Sequence, residues 1–383
     1  MSAISPLPSD GLDDAPSFVE AVTDEDLLYF CANVGDADAQ LLLLPPRPPH
    51  ATRRAIVVDA GRSGKIEGLL ALAVDAGWLP TTADGSLAPD AIALVVATHP
   101  HADHIRGLSG LLASHGHAVS EYWDSGYFHP SRGFHDLMGQ ISGLPHLLYA
   151  QPTSGFRRWL HQTRITVLAP AIHLRNRYDT YGVEVNSASI TLRLDYPAPR
   201  VLQRDEDRVL VDHENAVSMI LGGDAQTDSW AHVATDFPAL HAHDNAAAEA
   251  IGAATGIDHL RADVLKVPHH ASKHGINLEL MERMSPKVTL VSSTDRSPQY
   301  NFPHAVTQDI LREALEPTMG LGTPRSADHD LGLFYTADRD AAGRALGTIA
   351  MRLRPGTRDL WRLGDEPGDL SFDPATARRW RGR

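Results

Sequence analysis

The sequence predicts a layered α/β domain, and three observations carry that expectation. Short apolar runs with strand character alternate with segments of helical period. Four of the strand-like runs end in polar residues able to bind metal, at Asp59, His99, Asp224 and His269. The length, 383 residues, suffices for one large layered domain or two ordinary ones, and no convincing linker divides it.

The elements follow in chain order. Residues 1–22, rich in Pro, Ser and Asp, have no basic start leading into an apolar core. They are expected to form a flexible leader rather than a secretory signal. Leu27–Val34 and Gln40–Leu44 are strands around the turn Gly35–Asp38, and Arg54–Asp59 is the next strand. Ile66, Leu69, Leu70, Ala73 and Val74 share a helical face, which predicts a helix over Ile66–Ala76. Ala91–Ala97 is continuously apolar with several β-branched residues, as in a strand buried on both faces, and it runs into Thr98-His99. Gly107–His115 is expected to be a helix. Further strands are expected at Ile165–Leu168, Ala188–Leu194, Val209–Asp212, Val217–Leu221, Asp263–Val267 and Val288–Ser292, with a helix at Ala305–Ala314. Gly332–Thr336, Thr348–Leu353 and Leu360–Leu363 close the domain, taken as 23–365, and 366–383 is expected to be a basic tail.

Composition narrows the function classes. The chain is 43% hydrophobic and 21% charged, the profile of a globular protein. No apolar run approaches the roughly 20 residues that span a bilayer, so no membrane association is expected. The single cysteine, Cys31, excludes an internal disulfide and a Cys-based zinc cluster, and a cytoplasmic location follows as the expectation. The net charge of −14 opposes binding to long duplex nucleic acid unless basic residues cluster. They do so near the C-terminus, at Arg352, Arg354, Arg358, Arg362, Arg378, Arg379, Arg381 and Arg383. That cluster reads either as a solvated basic face or as a binding surface, and Arg325 is a further candidate for a phosphate contact.

The segment from Thr98 to His104 carries the chemistry. His99 and His101, two apart in an extended stretch, point the same way, and Asp103 and His104 follow where the chain turns into a helix. Such a set can feed two divalent cations. Two ions roughly 3.5–4 Å apart can share a bridging hydroxide and clamp both the attacking and the leaving oxygen of an ester. Asp224, after Gly222-Gly223, and the pair His269-His270 are further candidates at strand ends.

The motif His99-Pro100-His101-Ala102-Asp103-His104 resembles the HxHxDH signature of the metallo-β-lactamase superfamily. CANVGDADAQLLLL, IVVDAG, EVNSASITLRL, MILGGDAQ, DVLKVPHHASKHG, YNFPHAVTQDIL and FYTADRDAAG further resemble the soluble hydrolase domain of ComEC-type competence proteins, over roughly residues 27 to 355. The resemblance implies an αββα four-layer sandwich with two mixed sheets flanked by helices. It also implies a first metal on His99 and His101, a second on Asp103, His104 and one of His269 and His270, and Asp224 bridging them. Zn2+ and Mn2+ both suit such a donor set. Asp59 would support the site through hydrogen bonds, and Asn186 stands where many superfamily members carry another metal histidine. Lys273 and His304 are candidates for holding an anionic oxygen or protonating a leaving group.

The sequence also departs from that pattern. These residues hold no counterpart of the ComEC-type membrane channel, so DNA transport is not expected of them, and the strand pair around Asp195–Asn215 is longer than expected. The insertion 227–260 contains Trp230, His232 and His241-Ala242-His243-Asp244, and reads as either a polar loop or a lid that sets specificity. Asp124, Ser125, Gly126, Tyr127, His129 and His135 are placed on another loop over the site. The leading expectation is a metal-dependent phosphodiesterase or nuclease using a metal-bridging hydroxide on a nucleotide or a single-stranded nucleic acid. The alternatives are a hydrolase of carboxylic esters, amides or lactones, and an effector module gated by a regulatory protein partner.

Overall fold

In the computed structural model the described residues are 11–13, 16–48, 51–175, 184–204, 209–212, 216–238, 258–297, 299–317 and 325–380. The strands of the first sheet are β1 (Leu12–Asp13), β2 (Leu27–Cys31), β3 (Ala39–Leu44), β4 (Arg54–Ala60), β5 (Ile92–Ala97), β6 (Glu121–Asp124) and β7 (Leu148–Ala150), joined by β17 (Ile349–Arg354), β18 (Thr357–Arg362) and β19 (Arg378–Trp380). Their order is β1-β19-β18-β17-β2-β3-β4-β5-β6-β7. The second sheet holds β8 (Arg157–Leu160), β9 (Thr163–Ala169), β10 (Thr191–Tyr196), β13 (Val217–Leu221), β14 (Val264–Lys266), β15 (Val288–Val291) and β16 (Leu333–Tyr335), in the order β16-β15-β14-β13-β10-β9-β8. Both sheets mix parallel and antiparallel pairs. A separate hairpin pairs β11 (Arg200–Arg204) with β12 (Val209–Asp212).

Alternation along the strands builds the layers. In β3, Leu41 and Leu43 pack outward against helices while Leu42 and Leu44 face the second sheet; Ala55/Val57 and Ile56/Val58 of β4 divide in the same way. The outer core of the first sheet is completed by α2 (Lys65–Asp75), α4 (Leu108–His115) and α5 (Arg132–Ser142). The second sheet packs its outer face, Ile220, Leu265 and Val291 included, on α6 (Thr227–Asp236), α7 (Leu278–Met284) and α8 (Ala305–Leu315). Between the sheets lie Leu94, Val96 and Trp123 from the first, with Val167, Met219 and Leu290 from the second. The result is an α/β sandwich of four layers, αββα, as expected.

Both ends of the chain carry structure in their described parts. Leu12–Asp13 pairs with Arg379 and Trp380, and the short helix α1 (Phe18–Ala21) has a Ser17–Glu20 capping box. Phe18 is fully buried, edge-on to Phe30, Trp78 and Trp361, so 1–22 is not a free leader over these residues. Likewise β19 extends the first sheet instead of leaving 366–383 as a tail.

Among the described residues, arginines of the C-terminal cluster are engaged inside the molecule. Arg352 pairs with Asp359 at 2.6 Å, Arg358 with Asp263 at 2.6 Å and Arg379 with Asp359 at 3.1 Å. Arg362, fully buried, holds Asp338 at 2.7 Å, and Arg325 pairs with Glu313. Of the two readings of this cluster, these contacts count against the binding surface, because acidic partners already engage these guanidinium groups. Arg381 and Arg383 lie outside the described residues. No helix among the described residues is long and apolar enough to cross a membrane.

Candidate metal centre

The site forms where strand ends of both sheets meet. β5 delivers Thr98 and His99, and the four-residue helix α3 (Ala102–Ile105) carries Asp103 and His104. From the second sheet, β13 delivers Asp224 and β14 delivers His269 and His270. Close backbone approach fixes the join: a Cβ on Gly61, just past β4, would overlap the Asp103 carbonyl oxygen, so only glycine fits. Gly223, at φ +53, makes the same accommodation against Ser189 and Ile190.

Asp224 is buried, and its two oxygens face different donor sets. Oδ1 lies 3.2 Å from His104 Nε2 and 3.9 Å from His270 Nε2, and Asp103 Oδ2 stands 3.6 Å from His270 Nε2. Asp103, His104, Asp224 and His270 each offer one atom, and all four atoms lie within 4.8 Å of one another. On the other side, Oδ2 lies 3.7 Å from His99 Nε2 and 3.6 Å from His269 Nε2. His101 Nδ1 is 3.0 Å from His99 Nε2, and Asn186 Nδ2 is 3.3 Å from His269 Nε2.

A second layer of polar groups aims these rings. Asp59, at positive φ, accepts from the Thr98 backbone N–H at 2.8 Å, from the Thr98 hydroxyl at 2.7 Å and from His104 Nδ1 at 2.8 Å. Holding the proton on Nδ1 leaves the His104 Nε2 lone pair pointing into the cavity. His270 Nδ1 donates to the Ser292 carbonyl at 2.9 Å, with the same effect on its own Nε2. His269, His270 and Ala271 all take left-handed φ, 50°, 51° and 60°. Such conformations cost of order 1–3 kcal/mol each and persist where the surroundings over-determine them. This turn lets two adjacent imidazoles reach opposite sides of one carboxylate, which an extended strand would forbid. Beneath the cage, Lys266 and Asp38 form a fully buried ion pair.

The donor set fits cations. Among the described residues, His104 Nε2, His270 Nε2 and Asp224 Oδ1 are buried without a hydrogen-bond partner. Buried polar atoms are rarely left so, and three that converge imply a group that binds them all. Burial opposes charge on Asp224, yet His104, His269 and His99 hold its carboxyl well below the usual range. Burial also opposes protonation of His104, but Asp224 and Asp59 outweigh it and raise that imidazole. His99, by contrast, is pushed well below the usual imidazole value, chiefly by burial.

Other sequence candidates fall elsewhere. Lys273 is exposed and does not line the cleft in front of the cage. His304 is the N-cap of α8, its Nδ1 accepting from the Val306 N–H at 3.2 Å. His129 does reach the site, its ring 5.8 Å from that of His101, whereas His135 packs on Phe128 and Phe134. Asp124 is tied to Tyr149 and Gln151. His232 meets His173 on the surface, at 2.9 Å between Nε2 atoms, and His241, His243 and Asp244 lie outside the described residues. Arg62, Arg106, Gln299 and Tyr300, which line the cleft with Phe302, are not among the site residues expected from the sequence, although Tyr300 and Phe302 fall in the block YNFPHAVTQDIL. Exposed and non-repeating, they carry no periodic signal.

The model of the metallo-beta-lactamase superfamily matches residues 51–200, the stretch from β4 through the histidine motif to β10. Solved structures are similar at low identity. The diiron β-hydroxylase CmlA from Streptomyces venezuelae is 13% identical with a TM-score of 0.39, over 87% of this chain and 55% of the hydroxylase. This chain therefore spans only about half the length of that protein. A long form RNase Z from yeast is 11% identical, TM-score 0.38, over 73% of this chain and 39% of the other. The metallo-beta-lactamase fold protein YhfI from Bacillus subtilis is 14% identical, TM-score 0.36, over 79% and 98%. No curated protein sequence matches.

Proposed function

We propose that this protein is a metal-dependent phosphodiesterase acting in the cytoplasm. What carries the reading is the division of Asp224 between two donor sets, one on each carboxylate oxygen. Asp103, His104 and His270 with Oδ1 would hold one divalent cation; His99, His101 and His269 with Oδ2 would hold the other, and Zn2+ and Mn2+ both suit these donors. When bound, such a pair supplies water activation near neutral pH and charge stabilisation for in-line displacement at phosphorus. In this assignment His269 takes the role that Asn186, lacking an imidazole, cannot fill.

The chain's own residues then do the rest. Asp59 and the Ser292 carbonyl fix the tautomers of His104 and His270. Asp103, its side chain 39% exposed, faces the cleft from which substrate enters. The resemblance of the motif blocks to ComEC-type hydrolase domains points to the same substrate class.

The test is metal analysis beside hydrolysis of bis(p-nitrophenyl) phosphate, with Zn2+ and Mn2+ added separately, for wild type and Asp103→Asn. The expected result is about two metal equivalents in the wild type and activity lost in the variant. Two metals with cleavage of carboxylic esters alone would replace this reading by a carbonyl hydrolase. A cellular phenotype that survives Asp103→Asn would favour a partner-gated effector module.

A further inference from the structure

The cleft in front of the cage, about 600 Å³, carries features that metal binding does not use. Arg62 follows Gly61 at the end of β4, and Arg106 ends α3. Both line the cleft and both are exposed. Among the described residues neither side chain has an ion-pair or hydrogen-bond partner, in contrast to those of Arg352, Arg358, Arg362 and Arg379. The cleft also holds Asp36, Asp103 and Asp224, of which Asp103 and Asp224 belong to the cage and Asp36 accepts from Thr294, so in a chain of 48 acidic and 34 basic residues these two guanidinium groups stand on the cleft without a carboxylate paired to either, available to an external anion.

Beside these charges stands an aromatic ladder. Tyr300 is 55% exposed and lies nearly parallel to Phe302, centroids 5.7 Å apart and planes at 18°. Phe302 in turn packs on His269 at 5.3 Å and His270 at 5.7 Å. The row of rings therefore starts with edge-on and tilted contacts at the two histidines of the cage and ends in the exposed Tyr300 ring at the cleft. Gln299 Nε2 donates to the Tyr300 hydroxyl at 2.8 Å and steadies the ring. An open π-face beside free guanidinium groups is the chemistry that takes an unpaired base and its phosphates.

Starting from the phosphodiester reading, we infer that the cleft binds a short single-stranded nucleic acid, with the base next to the scissile phosphate stacked on Tyr300 and a flanking phosphate engaged by Arg62 and Arg106. Stacking needs a base that is not already paired, and the net charge of −14 disfavours long duplex, so both properties select the same ligand.

The experiment is fluorescence anisotropy with a fluorescein-labelled, phosphorothioate-linked oligothymidylate hexamer on the Zn2+-loaded full chain. Phosphorothioate linkages keep the charge and resist cleavage. Tyr300→Ala is expected to weaken binding roughly 5- to 150-fold, with Tyr300→Phe retaining it. Arg62→Ala/Arg106→Ala is expected to weaken it about tenfold or more and to flatten the dependence of log Kd on log salt by about one unit. All three positions are exposed, so the variants are expected to fold. A wild type that does not bind the hexamer, or a Tyr300→Ala variant that binds as the wild type does, overturns the inference; so does an arginine effect without a tyrosine effect. If bis(p-nitrophenyl) phosphate is hydrolysed while hexamer binding ignores Tyr300, the phosphodiester reading stands and this one falls. If the variants behave as expected but no phosphodiester is cleaved, the ligand class is supported and the hydrolytic reading falls.

Discussion

The two oxygens of Asp224 look onto unlike surroundings. On the Oδ1 side Asp103, His104 and His270 converge within 4.8 Å, and the two histidines are buried with their inner nitrogens unpartnered among the described residues. On the Oδ2 side His99, His101 and His269 approach in pairs, Asn186 occupies part of the rim, and the His269 side chain is 15% exposed. The first set is assembled by outer hydrogen bonds from Asp59 and Ser292, whereas the outer nitrogen of His269 meets the amide of Gln226 at 3.4 Å. Preassembly lowers the reorganisation that accompanies binding. The Oδ1 position is therefore expected to be the tighter of the two.

Substitutions can break or sharpen that contrast. The largest effect is expected from Asp224→Ala, which removes an oxygen from both sets: elemental analysis should find neither equivalent retained, and phosphodiester kcat/KM should fall about a thousandfold or more. A variant that keeps two equivalents would end the bridging assignment. Next, His270→Ala and His269→Ala should differ. The first should abolish the tight phase of a metal titration and the second only the weak phase; identical losses would mean the two sides are not separate sites. Third, Asp59→Asn frees the His104 ring, and a 10–100-fold loss of affinity is expected in the tight phase alone. Smallest, Asn186→His adds an imidazole on the Oδ2 side and should tighten the weak phase without moving the tight one, as read by competition with a chelating dye.

How much of this is legible in the sequence varies with the kind of residue. The inner strands announce themselves because both their faces are buried: Ala91–Ala97 reads as a strand because Ile92, Leu94 and Val96 and their neighbours all sit in cores. The run from His99 to His104 is legible because four donors in six residues between a strand and a helix rarely arise by chance in a polar loop. Strands β7 and β8 are not, since they are only three and four residues long and half or more of their residues are exposed. β6 is hidden for another reason: Glu121 and Asp124 read as loop residues, yet each is buried against a specific partner, Arg158 and Tyr149. The amphipathic helix α5 goes unread for no such reason: Phe134, Leu137, Met138 and Ile141 recur at helical spacing and pack on the outer core, a signal the sequence carries in full.

The histidine pair exposes a further boundary. Sequence order leaves open which of His269 and His270 faces a metal, because residues adjacent in a strand point to opposite sides. The left-handed turn removes that choice and brings both rings to the cavity. Similarly, the arginine count near the C-terminus suggests a surface for phosphate, but a guanidinium is available only where no carboxylate has claimed it. Arg62 and Arg106, isolated in the sequence, meet that condition.

The cage draws His99, His101, Asp103 and His104 from one sheet and Asp224, His269 and His270 from the other. A cation seated there would act as a rivet through the open edge of the sandwich, sharing its load with the inner core on which both sheets rest. Affinity for the ion and resistance of the two halves to parting would then be one quantity approached from opposite directions. Loosening the interior far from the site should make the metal easier to strip, and stripping the metal should leave the halves easier to prise open.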